Sequence, residues 1–369
     1  MIRLFSPIRL GTLDLANRLV VAPMCQYSAE DGSMTSWHMM HLGALANSGA
    51  GLLIVEATGV EARGRITHGC VGLYSDANEA AMGRVVEACR RYGTTKLGIQ
   101  LGHAGRKASS KRPWEGKTLQ DPIDSSEAWE QVAPSPIPFW QGTRAPRQMT
   151  AEDLAAVRDA FAASARRAAR LGFDLVEVHA AHGYLLHAFL SPLSNVRTDA
   201  YGGTRENRMR FPMEVFKAVR DAFPAGKPVG IRVSAVDWLE NGITIEDTVA
   251  FAQALKAAGC DFIDVSSGGI DPALKVPVGP GYQVPFAERL KRETGLPTMA
   301  VGMITEARQA EAILAEGRAD MIAIARAFLD DPHWGWHAAY TLGGEVALPP
   351  QYRRAGIKLW VPAERHAKG

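Results

Sequence analysis

Asp174-Leu175-Val176-Glu177-Val178-His179-Ala180-Ala181-His182-Gly183-Tyr184 joins a short apolar run to two imidazoles and a phenol. The run Asp174 to Val178 reads as a strand, which places the chemistry-bearing side chains at its carboxyl end. Seven further runs share its richness in Val and Ile, namely Asn17 to Ala22, Gly51 to Glu56, Lys96 to Leu101, Pro228 to Val233, Asp261 to Val265, Pro297 to Val301 and Asp320 to Ile324. Continuously apolar strands imply a parallel sheet covered on its outer face, and the longer helical patterns between them imply right-handed crossovers. Thr150, with Glu152 and Asp153 behind it, reads as the N-cap of a helix that runs to Leu171 and stops at Gly172; Thr244 and Thr305 are expected to cap later helices in the same way. Eight such units in one chain predict an α/β fold of the (β/α)8 TIM-barrel type, a single domain over 1–369 ending in a C-terminal tail at 345–369. No G-x-G-x-x-G follows the first strand, so a Rossmann domain is poorly supported.

Residues 103–149 break the rhythm. This stretch separates the third strand from its helix and carries Trp114, Trp129, Pro134, Pro136, Pro138 and Trp140. A connection of that length with that aromatic content predicts a packed, lid-like insertion capping the barrel mouth.

Composition bounds the remaining classes. The chain has 369 residues, 47% hydrophobic and 22% charged, enough for a large core, and a formal net charge of +2 with basic residues dispersed among acidic ones. Neither a nucleic-acid surface nor a membrane-spanning run is indicated, and the start Met1-Ile2-Arg3-Leu4-Phe5-Ser6-Pro7 lacks a signal-peptide core, so a cytoplasmic protein is expected. Cys25, Cys70, Cys89 and Cys260 are far apart without C-x-x-C spacing, and are read as free thiols.

In a barrel of this type the site lies at the carboxyl ends of the strands. There the sequence delivers Ala22-Pro23-Met24-Cys25-Gln26-Tyr27, then Ala57-Thr58, Gln100 and His103, His179, His182 and Tyr184, Arg232, Gly302-Met303 and Ala325-Arg326. A glycine and an arginine at the last two strands suit a phosphate, because a guanidinium can bond two oxygens at once. Arg232, inside an apolar strand, needs an anionic or electron-rich partner. His179 and His182, at i and i+3, can converge on one carbonyl oxygen while Tyr184 approaches from another side. Core histidines, or a pair of zinc ligands, are the other readings of the same spacing.

With these pieces the chain resembles the Old Yellow Enzyme family of flavin-dependent ene-reductases, in particular its bacterial branch that includes xenobiotic reductases. The resemblance spans nearly the whole sequence. It is carried by Asn17-Arg18, Ala22 to Tyr27, Glu56-Ala57-Thr58, Gln100 to Arg106, and the long string from His179 through Leu190-Ser191-Pro192 and Asn195 to Arg197-Thr198-Asp199-Ala200-Tyr201-Gly202-Gly203-Thr204. It implies an FMN cofactor, with Ala22, Pro23, Met24, Cys25, Ala57, Gln100 and Arg232 at the ring and Gly302, Ala325 and Arg326 at the phosphate. It also implies NADPH or NADH as hydride donor and α,β-unsaturated carbonyl compounds (enones) as substrates, reduced in a ping-pong cycle. His179 and His182 would hold the carbonyl, Tyr184 would supply the proton, and Tyr27 and Ile66 would line the substrate pocket. Cys25 would tune the flavin, although a small space-filling residue is an equal reading of that position. A homodimer or homotetramer is implied, with Arg354 reaching a neighbouring subunit's site; a plain surface arginine is the simpler reading. Ala325 departs from the family pattern, which has glycine there. A zinc-dependent barrel hydrolase and a flavin-binding protein without turnover are the rival classes.

Overall fold

The structure, a computed structural model, describes residues 2–118, 120–123 and 126–356. Its strands, in chain order, are β1 (Ile8–Leu10), β2 (Leu13–Leu15), β3 (Leu19–Val21), β4 (Leu52–Gly59), β5 (Lys96–Gly102), β6 (Val132–Ala133), β7 (Arg147–Gln148), β8 (Leu175–Ala180), β9 (Val229–Ser234), β10 (Ile263–Ser266), β11 (Thr298–Ala300) and β12 (Met321–Ile324). Eight of them close a barrel in the order β3-β4-β5-β8-β9-β10-β11-β12, with β12 returning to β3 and every pair parallel. These eight fall on the eight expected runs, the largest difference being β4, which continues to Gly59 rather than Glu56. Helices such as Asp76–Tyr92, Ala151–Arg170, Arg205–Ala222 and Ile245–Ala257 connect them and cover the outside.

Alternation along each strand sorts side chains between two cores. Val176 and Val178 of β8 face outward and join the layer between sheet and helices, with Phe161, Phe211 and Phe216. Leu175 faces inward and meets Val20, Leu52, Phe262, Met299 and Met321 inside the barrel. The ring of Phe262 needs Gly230 opposite it, because a Cβ there would come within 2.3 Å of the ring. The hairpin β1–β2, which the sequence reading missed, packs Leu10 and Leu15 into the same interior cluster. Thr12 anchors it, the amide donating to Gly226 just ahead of β9. The hairpin thus plugs the end of the barrel opposite the site.

Thr150 caps the helix Ala151–Arg170 in a reciprocal box with Asp153, and Gly172 follows its end in a left-handed conformation, φ 84°. Thr244 caps Ile245–Ala257 in the same way. Thr305 does not cap. The last such helix starts at Ala307 after Glu306, which makes no side-chain cap bond, and the Thr305 amide donates instead to the Gln309 side chain. The insertion contains the small parallel pair β6–β7 and is clamped from the barrel side by Arg197, whose guanidinium donates to the carbonyls of Pro134 and Met149. The string Asn195 to Thr204 therefore acts structurally: Asn195 bonds the carbonyls of Phe189 and Tyr201, and Thr204 caps Arg205–Ala222.

Asn17 stitches the start of the barrel. Its Oδ1 accepts from the amides of Leu19 and Gly51, and its Nδ2 donates to the Gly49 carbonyl. Asn17→Ala removes these three buried hydrogen bonds and is expected to cost about 2 kcal/mol, read as a lower urea midpoint with an unchanged slope.

Candidate active site

Inside the barrel the floor is apolar and the next layers are polar. Gln100 of β5 pairs in register with Glu177 of β8, and its amide donates to Glu177 Oε1 at 2.7 Å. His179 and Arg232 pair across β8 and β9, and Arg232 pairs again with Asp264 of β10, Nε standing 3.0 Å from Oδ2. Glu177 and Asp264 are both fully buried, and burial raises the pKa of each carboxyl against the pull of Arg232, Glu177 to about 8. One guanidinium cannot hold two buried carboxylates ionised. Because β8 runs on to Ala180, Glu177 and His179 do share the inward face, but Glu177 lies a layer below and is taken by Gln100.

At the mouth, His179 accepts the Ala181 amide at Nδ1, 3.2 Å, which leaves the proton on Nε2. His182 sits just past the strand with φ 58°, its amide donating to Ser234 Oγ and its Nε2 2.7 Å from Ser266 Oγ. The two imidazoles lie edge to face with centroids 5.2 Å apart, and the Tyr184 ring is 4.8 Å from His179 in the same manner. Burial, with Arg232 and Lys107 close by, holds both imidazoles well below their usual pKa, and burial pushes the Tyr184 phenol well above its own. The cluster is therefore two neutral imidazoles beside a protonated phenol. The insertion touches it directly: Gln120 donates to the Tyr184 hydroxyl at 3.2 Å, and Trp140 donates to the Gln120 carbonyl. Lys107 donates to the carbonyls of His182 and Gly269 and lies over the Tyr184 ring; burial and Arg106 bring its pKa down to about 7.

Tyr27, Ile66 and Cys25 gather in one small cluster with Tyr184, Cys70 and Trp129. The loop carrying Cys25 and Tyr27 is fixed by Glu56, which accepts the Gln26 amide at 3.0 Å and stands 3.5 Å from buried His38. Burial, then Glu56, raises the Cys25 thiol well above its ordinary range, so it is no thiolate nucleophile. Ala57 lies on the neighbouring wall with Ile66, His179 and Tyr184.

On the other side of Arg232 a cavity of about 420 Å³ is lined by Ala22, Arg232, Ser266, Tyr282, Gln283, Gly302, Met303, Ala325 and Arg326. Gly302 has φ 112°, and a Cβ there would meet Gln283 Nε2 at 2.8 Å. Arg326 is exposed at the rim, with the Met303 sulfur its one described hydrogen-bond partner. An open chamber with a side-chain-free backbone edge, an available guanidinium and Arg232 at its inner end fits a phosphate-bearing chain that leads to a ring. Ser266, Ser267 and Gln283 were missed by the sequence reading; the two hydroxyls bond Gln283 Oε1, and no motif marks them. Arg354 is not brought to the cluster: it lies exposed in the 3-10 turn Pro350–Ala355, whose Tyr352 packs on His333 and Trp336. Residues 357–369 of the expected tail lie outside the described residues. No three His, Cys, Asp or Glu side chains group as a metal site among the described residues, and no helix among them is long and apolar enough to cross a membrane.

A parallel barrel with a phosphate-type chamber beside a buried arginine, and neutral imidazoles and a phenol at its mouth, suits a flavin-dependent oxidoreductase. Residues 3–344 match the model of the NADH:flavin oxidoreductase / NADH oxidase family, and the chain belongs to that family. It is 44% identical over 353 residues to an NADPH dehydrogenase of Geobacillus sp. (strain WCH70), covering 95% of this chain and 98% of the relative. It is 43% identical over 354 residues to an NADPH dehydrogenase of Bacillus subtilis (strain 168), covering 95% and 98%. Among solved structures it resembles morphinone reductase, with a TM-score of 0.75 and 28% identity over 94% of this chain and 92% of that one. An Old Yellow Enzyme homologue from Zymomonas mobilis shares the fold with a TM-score of 0.75 at 24% identity, covering 97% and 96%. The protein is thus an FMN-dependent NAD(P)H oxidoreductase of Old Yellow Enzyme type.

The raised pKa of Glu177 has a stability consequence. A carboxyl that keeps its proton to about pH 8 in the folded chain, but releases it near 4.5 when unfolded, makes the flavin-free protein lose stability as pH rises across that window. Glu177→Gln is expected to flatten this decline, read as urea midpoints at pH 5 and pH 8 for variant and parent.

Proposed function

We propose that this oxidoreductase is an ene-reductase, reducing the activated C=C bond of α,β-unsaturated carbonyl compounds. One observation carries the reading: two neutral imidazoles and a protonated phenol converge at one end of the barrel, next to the chamber that suits the cofactor. In this reading Ala22, Pro23, Met24, Cys25, Ala57, Gln100 and Arg232 hold the flavin ring and Gly302, Ala325 and Arg326 its phosphate. Bound FMN supplies the chemistry of taking hydride from NADPH and giving it to an alkene carbon, in a ping-pong cycle.

The chain's own groups do the rest. His179 Nε2–H and the His182 ring bind the carbonyl oxygen, where negative charge grows as the β-carbon is reduced; one such donor is worth about 3 kcal/mol of barrier. Both must be neutral to leave Arg232 as the one permanent cation under the site, and burial ensures that. Arg232 stabilises an anionic ring above it. Tyr184 moves its phenolic proton to the α-carbon. Gln120, as donor to the phenol oxygen, leaves the O–H free to point at substrate. Tyr27 and Ile66 shape the wall against which the substrate packs. The Ala325 backbone N–H is retained, so a methyl beside the phosphate is tolerated in this account. The same reading makes 103–149 a lid, the location cytoplasmic and the assembly a homodimer or homotetramer, with exposed Arg354 available to a second copy.

Anaerobic NADPH is expected to bleach the yellow protein and 2-cyclohexenone to restore its colour; flavin that stays reduced in the enone would sink the proposal. Tyr184→Phe is expected to slow reoxidation by the enone about 100-fold or more while reduction by NADPH changes little, both read by stopped-flow absorbance. Equal slowing of the two half-reactions would take the proton-donor role from Tyr184.

A further inference from the structure

Outside the residues that would meet substrate, His187 and Asp237 stand against each other with both side chains fully buried, Nε2 lying 3.0 Å from Oδ1. His187 belongs to the short helix Leu185–Leu190 that follows Tyr184, and Asp237 to the loop after β9. The other side of the imidazole is equally engaged: the Gly183 amide donates to His187 Nδ1 at 2.7 Å. A ring nitrogen that accepts carries no proton, so the proton of a neutral ring sits on Nε2, the nitrogen that lies beside Asp237. Asp237 is in turn fixed by the Ser191 hydroxyl and the Ile243 amide, both donating to Oδ2. Although burial alone would raise its carboxyl, His187 and these donors hold it below the ordinary carboxylate range.

Gly183 is the single residue between His182 and Tyr184, and the backbone there is unusual. His182 and Gly183 are both left-handed, φ 58° and 74°, and a Cβ on Gly183 would sit 2.2 Å from the Gly269 carbonyl. Two successive left-handed residues have no ladder to lock them and persist only where surrounding groups pin them. Rotating the Gly183 peptide would swing the phenol relative to the imidazole. We infer that His187 and Asp237 are a positioning pair: Asp237 selects the His187 tautomer whose Nδ1 accepts from Gly183, and that bond sets the angle between His182 and Tyr184. This inference rests on the ene-reductase reading of those two residues.

The test compares His187→Leu with His187→Asn in the FMN-loaded full chain. Asparagine Oδ1 can stand in for Nδ1 as acceptor from Gly183, whereas leucine cannot. Neither variant replaces the contact to Asp237, so both lose that pair alike and their difference isolates the Gly183 bond. Leucine is expected to slow flavin reoxidation by 2-cyclohexenone about 100-fold, more than it slows reduction by NADPH, and asparagine to restore most of that loss although both melt below the parent. Equal slowing by the two substitutions, or no slowing by leucine, overturns the inference. Should leucine prevent folding, Asp237→Asn is expected to show the same selective loss, and uniform slowing of both half-reactions would count against the pair. Nitrogen NMR of histidine-labelled parent protein reads the pairing independently of turnover: a proton on His187 Nδ1 overturns it. Failure of the parent to react with the enone, with Nδ1 unprotonated, would instead remove the enone reading and leave the pair standing.

Discussion

Arg232 places a guanidinium on the inner face of a closed barrel, and the polar interior is organised around that charge. A cation in such a position requires compensation, which Asp264 supplies at 3.0 Å. It also lowers the affinity of both mouth histidines for a proton, helping burial keep them neutral. Glu177, too far down in a low-dielectric layer to share the cation, stays protonated and offers its oxygen to the Gln100 amide. The arrangement leaves a buried guanidinium on the inner face of the barrel and two neutral imidazoles at the mouth, with Lys107 beside them. That profile suits a cofactor whose reduced form is an anion and, in the proposed ene-reduction, a substrate oxygen that becomes one.

The barrel was legible because its strands are continuous apolar runs with helical segments between them, a pattern that few other folds produce. The paired histidines and Tyr184 were legible for a different reason, since they sit together in the chain and need no tertiary contact to be noticed. Distance in sequence hid the rest. Ser266 ends β10 and Gln283 starts the following helix, and both are ordinary polar residues until the fold brings them to the chamber. His187 was visible as a third imidazole five residues after His182, yet its meaning depends on Asp237, which only the parallel neighbour β9 delivers. Thr305 is not a cap because the helix starts one residue later, after Glu306, a boundary that local propensity does not record. The hairpin β1–β2 was passed over because three-residue strands carry too little periodicity to read.

The motif string after the His182–Tyr184 turn shows how a family signature can be structural in its working parts. Arg197 ties Pro134 and Met149 to the barrel, so one side chain anchors two separate points of the insertion. From another part of that insertion Gln120 reaches the Tyr184 hydroxyl. Loop and barrel are therefore tied together at both places, and in the proposed reaction the insertion bears on the phenol through the Gln120 hydrogen bond.

The plug formed by β1 and β2 gives the molecule a single working end. Leu10 and Leu15 seal the lower layer against Phe262, Met299 and Met321, several strand layers away from the imidazoles. The sealed apolar packing and the imidazole cluster consequently occupy different storeys of the same cylinder, with Glu177 and Gln100 between them. Leu10 and Leu15 can therefore change together without touching the side chains at the mouth, whereas Ala22, which belongs to the same cluster and lines the chamber, joins the two levels.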